Sequence, residues 1–271
     1  MSALLNLLEL RAGDDEDTWI GPASGPDGKR AYGGQFVAQS LAAARRTVDA
    51  GRSPTNIHLQ FIRGGEAGDA VEYAVTRVFD GRTAAARRVE SRQNDRLLTT
   101  ATVSFAADMR GPQHGARSSA STDPASVSRT GPAGPAPSLP LDELDIRIAD
   151  EGSGPDFVRH LWWRATVPLP DDPMVHALVA AYVTDIYMID PALQVHGHSM
   201  KDRSHRSGTT DSSIWFHRSI RADEWNLLES RSPAAARGRG VVTASLIRAD
   251  GVIAATLVQE GLIAEREPTA T

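Results

Sequence analysis

The sequence predicts an α+β fold in which one plan, a helix followed by a run of antiparallel strands, is used twice. A glycine-led, alanine-rich helix pattern covers 32–48, and strand-like segments follow it. The same order returns over 170–264, after a stretch (111–140) in which sixteen of thirty residues are Gly, Pro or Ser. Such a stretch cannot build a packed core and is typical of a linker. Two copies side by side would join into one long sheet with two helices.

The first half shows this plan in its hydrophobic pattern. In NIHLQFIR (56–63), Ile57, Leu59 and Phe61 alternate with polar residues, which is the period of a half-buried strand. The helix before it, YGGQFVAQSLAAARRTV, is rich in alanine and can lie close against a sheet. The segments that follow are, in order, a strand at 70–79, a basic segment at 83–91, the turn Asn94-Asp95 and a strand at 97–106.

The second half repeats the order. Its helix, over 170–185, has Asp172 as a suitable N-cap and Pro173 as a suitable first helical residue. SSIWFHR (212–218) takes the position of NIHLQFIR, and strand character returns at 224–230. Asp250-Gly251 predicts a hairpin turn between the last two strands. The predicted organisation is therefore an N-terminal unit at 1–110, a linker at 111–140 and a C-terminal unit at 141–271.

Composition excludes several classes of function. The chain has 271 residues, a net charge of −5 and no cysteine. The charge gives no reason to expect nucleic acid as a partner, and the lack of cysteine removes thiol nucleophiles, disulfides and thiolate metal sites. No apolar run reaches the ~18 residues that a membrane span needs. The N-terminus lacks the basic region and cleavage site of a signal peptide, so we expect a cytoplasmic protein with no membrane partner.

Five stretches of the sequence, taken together in their order and spacing, resemble those of a known family. They are YGGQ (32–35), FIRGG (61–65), AAYVTDIYMIDPALQVHG (180–197), DSSIWFHR (211–218) and DGVIAATLVQEGLIA (250–264). Through them the chain resembles the type II acyl-CoA thioesterases, which are double hotdog proteins. The resemblance covers nearly the whole chain except the linker. It implies hydrolysis of fatty acyl-CoA to fatty acid and CoA, without a metal or other cofactor.

The resemblance also implies a set of catalytic residues. In this family a trio of Asp, hydroxyl residue and Gln positions the attacking water. The Asp falls on Asp211 and the Gln on Gln259. Arg231 stands where bacterial relatives carry the Thr, so the hydroxyl falls on a neighbour, Ser230 or Ser232. Ser230 is preferred, because some eukaryotic relatives use a Ser one place earlier.

The residues themselves give two further arguments for this trio. Asp211 precedes a strand and could be a turn residue or a base that accepts a proton from water. When FIR (61–63) is aligned with FHR (216–218), Asn56 is the first-half counterpart of Asp211. The side-chain amide of Asn56 cannot act as a base. Gln259 is the polar side chain on an otherwise apolar strand face, so we expect a specific partner for it. On the same face, Gly261 is expected to leave space for a narrow ligand.

The predicted substrate-binding residues are Gly33, Gly34 and Gln35. Backbone N–H groups at a helix N-terminus can stabilise charge on a carbonyl oxygen, and glycines leave those groups unobstructed. The glycines could equally serve a tight turn and close packing of the helix. Because CoA is anionic, basic side chains are candidate phosphate contacts. They are Arg63, Arg87, Arg88, Arg218, Arg237 and Arg239.

Other reaction classes fit the sequence less well. GHSMK (197–201) ends in lysine and lacks the strand–turn–helix context of the serine-hydrolase G-x-S-x-G motif. His196 and His198 are two residues apart, not four as in the zinc motif H-E-x-x-H. His217 and Asp211 are about 20 Å apart by strand rise, too far for the acid–histidine pair of a hydratase.

One alternative stays open at the level of sequence. If no hydroxyl replaces the threonine that is missing at Arg231, the chain could bind acyl-CoA without hydrolysing it. The discriminating observation is whether Asp211, Gln259 and a hydroxyl converge on one water. In either case acyl-CoA is the expected ligand, and a homodimer or homotetramer is the expected assembly.

Overall fold

The structure is a computed structural model that describes residues 2–25, 28–115, 122–130 and 142–266. In these ranges the α-helices are α1 (Ala3–Leu8), α2 (Gly33–Arg45), α3 (Pro173–Val183) and α4 (Asp190–Gln194). The strands of the first repeat are β1 (Arg11–Ala12), β2 (Thr18–Gly21), β3 (Arg52–Phe61), β4 (Val71–Asp80), β5 (Ala84–Gln93) and β6 (Arg96–Ala107). Those of the second repeat are β7 (Leu144–Glu151), β8 (Val158–Ala165), β9 (His205–Phe216), β10 (Asn226–Ala236), β11 (Arg239–Arg248) and β12 (Ile253–Glu265).

The twelve described strands form one sheet in the order β1-β2-β4-β5-β6-β3-β9-β12-β11-β10-β8-β7. The order is symmetrical about the β3–β9 pair, so each strand of one repeat has a counterpart in the other. That pair joins the repeats through antiparallel partners such as Ile57 with Ile214. The predicted α+β duplication with one continuous sheet is therefore confirmed.

Helices α2 and α3 pack against each other and on one face of the sheet, called the inner face below. From Gly34 to Ala44 every residue of α2 is buried, and its alanines allow the close approach. Asp172 caps α3 as predicted, accepting a hydrogen bond of 2.9 Å from the Met174 N–H. Pro173 is the first helical residue.

Two hairpins form at the predicted turns. Asn94 and Asp95 both have positive φ, at 47° and 61°, which a two-residue turn of the common hairpin type requires. Gly251 has φ 79°, and its N–H donates to the Arg248 carbonyl at the end of β11. Correct turn chemistry fixes the register of the strands on either side.

Two segments differ from the simplest interpretation of the sequence. β9 begins at His205 rather than beside Ser212, because its backbone pairs with β12 down to Glu265. Asp211 is thus inside a strand and not in a turn. In the predicted linker, the described residues 122–130 run along β7, where the Thr130 N–H donates to the Ile146 carbonyl at 2.6 Å. The rest of the linker beyond residue 115 lies outside the described residues.

Within the described part of the chain, none of the helices combines the length and apolar character that a membrane crossing requires.

Candidate active site

The first turn of α2 packs tightly against the end of α3. Gly33 and Gly34 open α2 directly after its N-cap, Tyr32. A Cβ added to Gly33 would collide with Asp185 Oδ2, and one added to Gly34 would collide with the Tyr182 carbonyl oxygen. The Tyr32 hydroxyl donates to that same carbonyl at 2.8 Å. The glycines therefore let the helix start of the first repeat touch the second repeat.

Asp185 is a partly buried residue directly after the C-cap of α3, and its carboxylate meets the N-terminus of α2. Thr209 Oγ1 donates to Asp185 Oδ1 at 3.0 Å. The Gln259 amide and the Gly34 N–H also stabilise the ionised carboxylate. Burial has the larger effect and raises the pKa of Asp185 to about 6. An acid with this pKa exchanges its proton close to neutral pH.

Gln259 lies fully buried on the inner face of β12. Its Nε2 donates to Ser212 Oγ at 3.1 Å, and its Oε1 has no hydrogen-bond partner among the described residues. The expectation of a specific partner for this amide is met by the Ser212 hydroxyl. The predicted space beside Gly261 is wrong, because the Ile189 side chain fills it.

A β-bulge in β9 sorts the neighbouring side chains between the two faces of the sheet. Thr210 is the extra residue at the bulge. The partners around it are Gln259 with Ser212, Glu260 with Asp211, and Gly261 with Thr209. Because directly opposed residues share a face and neighbours along a strand alternate, Thr209 and Ser212 lie on the inner face with Gln259. Asp211 lies on the outer face.

Asp211 has its own surroundings on that outer face. It accepts a hydrogen bond of 3.3 Å from the Glu260 N–H. Burial and the charge of Glu260 raise its pKa, while Arg239 and His58 lower it. Within the chain its carboxylate and the Gln259 amide are therefore on opposite sides of the sheet. The catalytic role of Asp211 stays a prediction.

The candidate hydroxyls lie away from Gln259. Ser230 is buried on the inner face, but it is opposite Ala244 on β11, which places it two strands from β12. Ser232 Oγ donates to a β11 carbonyl at 2.7 Å. Arg231 points outward and is exposed, as its place next to Ser230 predicts. The described chain does not bring these hydroxyls together with Gln259 and Asp211, and the role of Ser230 stays a prediction.

Among the predicted substrate contacts, Gln35 already has partners within the protein. Its Oε1 accepts from the Ser24 N–H at 2.8 Å, and its Nε2 donates to the Pro22 carbonyl. This side chain holds the loop after β2 against α2. Gly33 and Gly34 lie at the helix end beside Asp185, where the sequence places them.

One of the candidate phosphate contacts, Arg87, is buried and already bonded within the protein. Arg87 is 1% exposed and points to the inner face of β5. Its Nε donates to Thr47 Oγ1 at 2.7 Å, and its Nη2 contacts Asp80 Oδ1 at 2.6 Å. It cannot reach a bound phosphate without breaking these contacts. The other five arginines are partly or fully exposed.

Asp185 and Thr209 are the residues of this cluster that sequence reasoning missed. Both stand in stretches already singled out, since Asp185 follows the second helix and Thr209 precedes Asp211 by two. A usable signal was the acid directly after a buried helix in a chain whose other helix starts with two glycines. The contact itself joins residues about 150 positions apart and has no local signature.

A long antiparallel sheet on two helices, one from each repeat, defines a double hotdog protein. Comparison with known proteins gives the same class. Residues 22–106 match the family described as acyl-CoA thioesterase N-terminal domain, and residues 112–263 match the acyl-CoA thioesterase C-terminal domain.

Individual proteins similar to this chain are also named acyl-CoA thioesterases. The chain is 29% identical to human acyl-coenzyme A thioesterase 8, over 97% of this chain and 88% of that protein. It is 26% identical to acyl-CoA thioesterase 2 of Haemophilus influenzae, over 97% of both. The crystal structure of acyl-CoA thioesterase II TesB2 from Mycobacterium marinum matches with a TM-score of 0.84 at 28% identity, covering 98% of this chain and 99% of that one. The chain belongs to the type II acyl-CoA thioesterase family and is a thioester hydrolase.

Proposed function

We propose that the protein hydrolyses fatty acyl-CoA to fatty acid and CoA by direct attack of a water held at Gln259. The observation that carries this proposal is the Gln259 Oε1 atom, which is buried and has no hydrogen-bond partner among the described residues. An unpaired buried acceptor costs about 1–3 kcal/mol, and a bound water would remove that cost. The amide would then orient the water from the inner face of β12.

The N-terminus of α2 suits the other half of the reaction. As the water attacks, negative charge develops on the thioester oxygen, and helix N-terminal N–H groups and the helix dipole stabilise such charge. Gly33 and Gly34 form this end and carry no side chains of their own, and the Gly34 N–H already donates to the Asp185 carboxylate. The role of Ser230 in positioning the water rests on the family resemblance alone, and that of Asp211 rests on the resemblance and on the contrast with Asn56 at its counterpart position.

Thiol release from acyl-CoAs of increasing chain length tests this function. We expect release by the wild type, with a preferred chain length. Asp211→Ala and Ser230→Ala decide the two roles that the resemblance implies, because unimpaired release by either variant removes that residue from the mechanism. If the wild type binds acyl-CoA but releases no thiol at any length, the proposed reaction is wrong and the alternative of a non-hydrolysing binder holds.

A further inference from the structure

Lys29, Arg30 and Arg63 are exposed basic side chains on the two segments that flank the start of α2. Lys29 and Arg30 come shortly before Gly33, the first residue of that helix. A Cβ added to Gly64 would be 3.0 Å from Arg30 Nε, so the Arg30 side chain lies over the backbone directly after Arg63. The two segments therefore form one basic cluster.

Backbone and ring contacts hold this cluster beside the helix end. The Ala31 N–H donates to the Gly65 carbonyl at 2.9 Å, which joins the segment before α2 to the loop after β3. That loop follows Phe61, whose ring would lie 3.3 Å from a Cβ added to Gly33. The Arg30 Cα is three residues from Gly33 and so at most about 11 Å from it. The cluster is thus next to the helix end that would stabilise the thioester oxygen.

The three cations are not neutralised by acids within the described chain. Among the residues that the structure describes, none of the three has a carboxylate within 4.0 Å. Glu66, the acid on the adjoining loop, lies 4.0 Å from Arg96 instead, and both of those side chains are more than half exposed. Such a pair is weak. The cluster therefore presents positive charge that an anionic ligand can use.

The start of α3 in the second repeat has the opposite charge arrangement. Asp171 and Asp172 directly precede its first helical residue, Pro173. Arg221, on the loop after β9, is paired with both Asp171 and Asp223. The cation at this helix start is therefore neutralised within the protein. Unpaired cations occur instead at the helix start with two glycines, which is the one assigned to the reaction.

We propose that Lys29, Arg30 and Arg63 bind the phosphate groups of the CoA moiety while its thioester lies at the start of α2. The inference rests on the proposed hydrolysis and names the part of the protein that recognises the nucleotide end of the substrate. Phosphate oxygens are strong acceptors, and a guanidinium can bind them through two parallel hydrogen bonds. CoA carries its phosphates away from the thioester, which agrees with a cluster that lies outside the reacting groups.

The test compares an acyl-CoA with the acyl-pantetheine thioester of the same chain length, which lacks the nucleotide and its phosphates. The readout is the ratio of kcat/KM for the two substrates in the wild type, Arg30→Glu and Arg63→Glu. The wild type should prefer acyl-CoA. Each variant should lose at least about tenfold of that preference, through KM and not kcat, because repulsion replaces attraction. Since the ratio is internal to each variant, it does not depend on the folded fraction.

Arg82→Glu is the matched control. Arg82 is an exposed residue in the turn between β4 and β5, so the variant has the same change in net charge away from the cluster. We expect it to keep the preference of the wild type for acyl-CoA.

Three results would overturn the assignment. A wild type with equal kcat/KM for both substrates does not recognise the phosphates. Arg30→Glu and Arg63→Glu variants that keep the wild-type preference place the phosphates elsewhere. An equal loss in Arg82→Glu means that net charge, and not the cluster, produces the effect. In each case thiol is still released and the proposed function stands. If the wild type releases thiol from neither substrate, the proposed function itself fails, and this inference falls with it.

Discussion

The two repeats share one backbone plan but differ in chemistry at equivalent positions of the inner face. Asn56 faces Ser104 just as Asp211 faces Glu260, and this equivalence fixes the counterparts along both strand pairs. At these positions the second repeat is polar and the first is mostly apolar. The pairs are Thr209 with Pro54, Ser212 with Ile57, Gln259 with Val103 and, after the helix C-caps, Asp185 with Thr47.

From this difference we infer which repeat contributes the polar groups of the site. Ile57 and Val103 are fully buried and only pack, and Thr47 accepts a hydrogen bond from Arg87. Burying polar groups costs stability, so the polar set of the second repeat needs a reason beyond folding. The starts of the two helices also differ, since α2 begins with two glycines and α3 with a proline. We infer one site per chain, formed by the sheet of the second repeat and the helix of the first.

Replacing Gln259 by the residue of its counterpart should have the largest effect. Gln259→Val makes the second repeat resemble the first and removes the amide that would hold the water. We expect kcat/KM to fall by about 100- to 1,000-fold, as for loss of one preorganised polar contact, while the fold is kept. Thiol release and thermal unfolding measure the two effects.

The reciprocal change, Val103→Gln, is the control. It places an amide on the apolar inner face of the first repeat, where we expect a loss of about 1–3 kcal/mol in stability and no gain in activity. Equal loss of activity in Gln259→Val and Val103→Gln would show that the inner faces of the two repeats do not differ in function.

The close contact of α2 with the second repeat gives the next prediction. A Cβ in Gly34→Ala would collide with the Tyr182 carbonyl and the Tyr32 ring, so α2 must shift away from Asp185. We expect about 1–3 kcal/mol of destabilisation and at least a tenfold loss of kcat/KM, because displacement of a helix start by about 1 Å disturbs the reacting geometry.

Gly208→Ala is the matched control for this change. Gly208 lies on β9 near the same cluster, but a Cβ there has no atom within 4 Å and its φ is not positive. We expect its activity and unfolding temperature to stay close to wild type. A normal Gly34→Ala enzyme would mean that the helix start does not position the substrate.

The fold was largely predictable from sequence, because period-two alternation and turn residues are local signals. Gln259 was found for the same reason, as one polar residue in an apolar alternation. The bulge was not predictable. Strict alternation places Thr209 and Ser212 on opposite faces, and the extra residue Thr210 brings them to the same one. Asp185 could not be placed either, because its partners depend on how the two repeats dock.

The stability of the protein should depend on pH through Asp185. Its pKa is about 6 in the folded chain, against an ordinary value of 3.8. The folded state therefore holds a proton that the unfolded state has released, and stability falls as pH rises from 4 to 7. Two pKa units correspond to a penalty of up to about 3 kcal/mol at pH 7.

Asp185→Asn removes this penalty. In denaturant unfolding, the free energy of unfolding of the variant relative to that of the wild type should be higher at pH 7 than at pH 4.5. Thr47→Ala, at the counterpart position in the first repeat, should shift stability equally at both pH values, because threonine does not titrate. A wild-type stability that does not fall over this range would contradict the elevated pKa of Asp185.

Thr209 should produce the smallest change. Its hydroxyl stabilises the ionised form of Asp185 at 3.0 Å, so Thr209→Val should raise the pKa of Asp185 further above 6. A hydrogen bond worth about 1 kcal/mol corresponds to a shift of somewhat less than one unit. In denaturant unfolding, the fall in stability with rising pH should therefore extend to higher pH in Thr209→Val. Thr209→Ser keeps the hydroxyl and should leave this pH dependence as in the wild type. A fall that ends at lower pH in Thr209→Val would mean that Thr209 does not stabilise the carboxylate, and the polar set of the second repeat would lose one of its members.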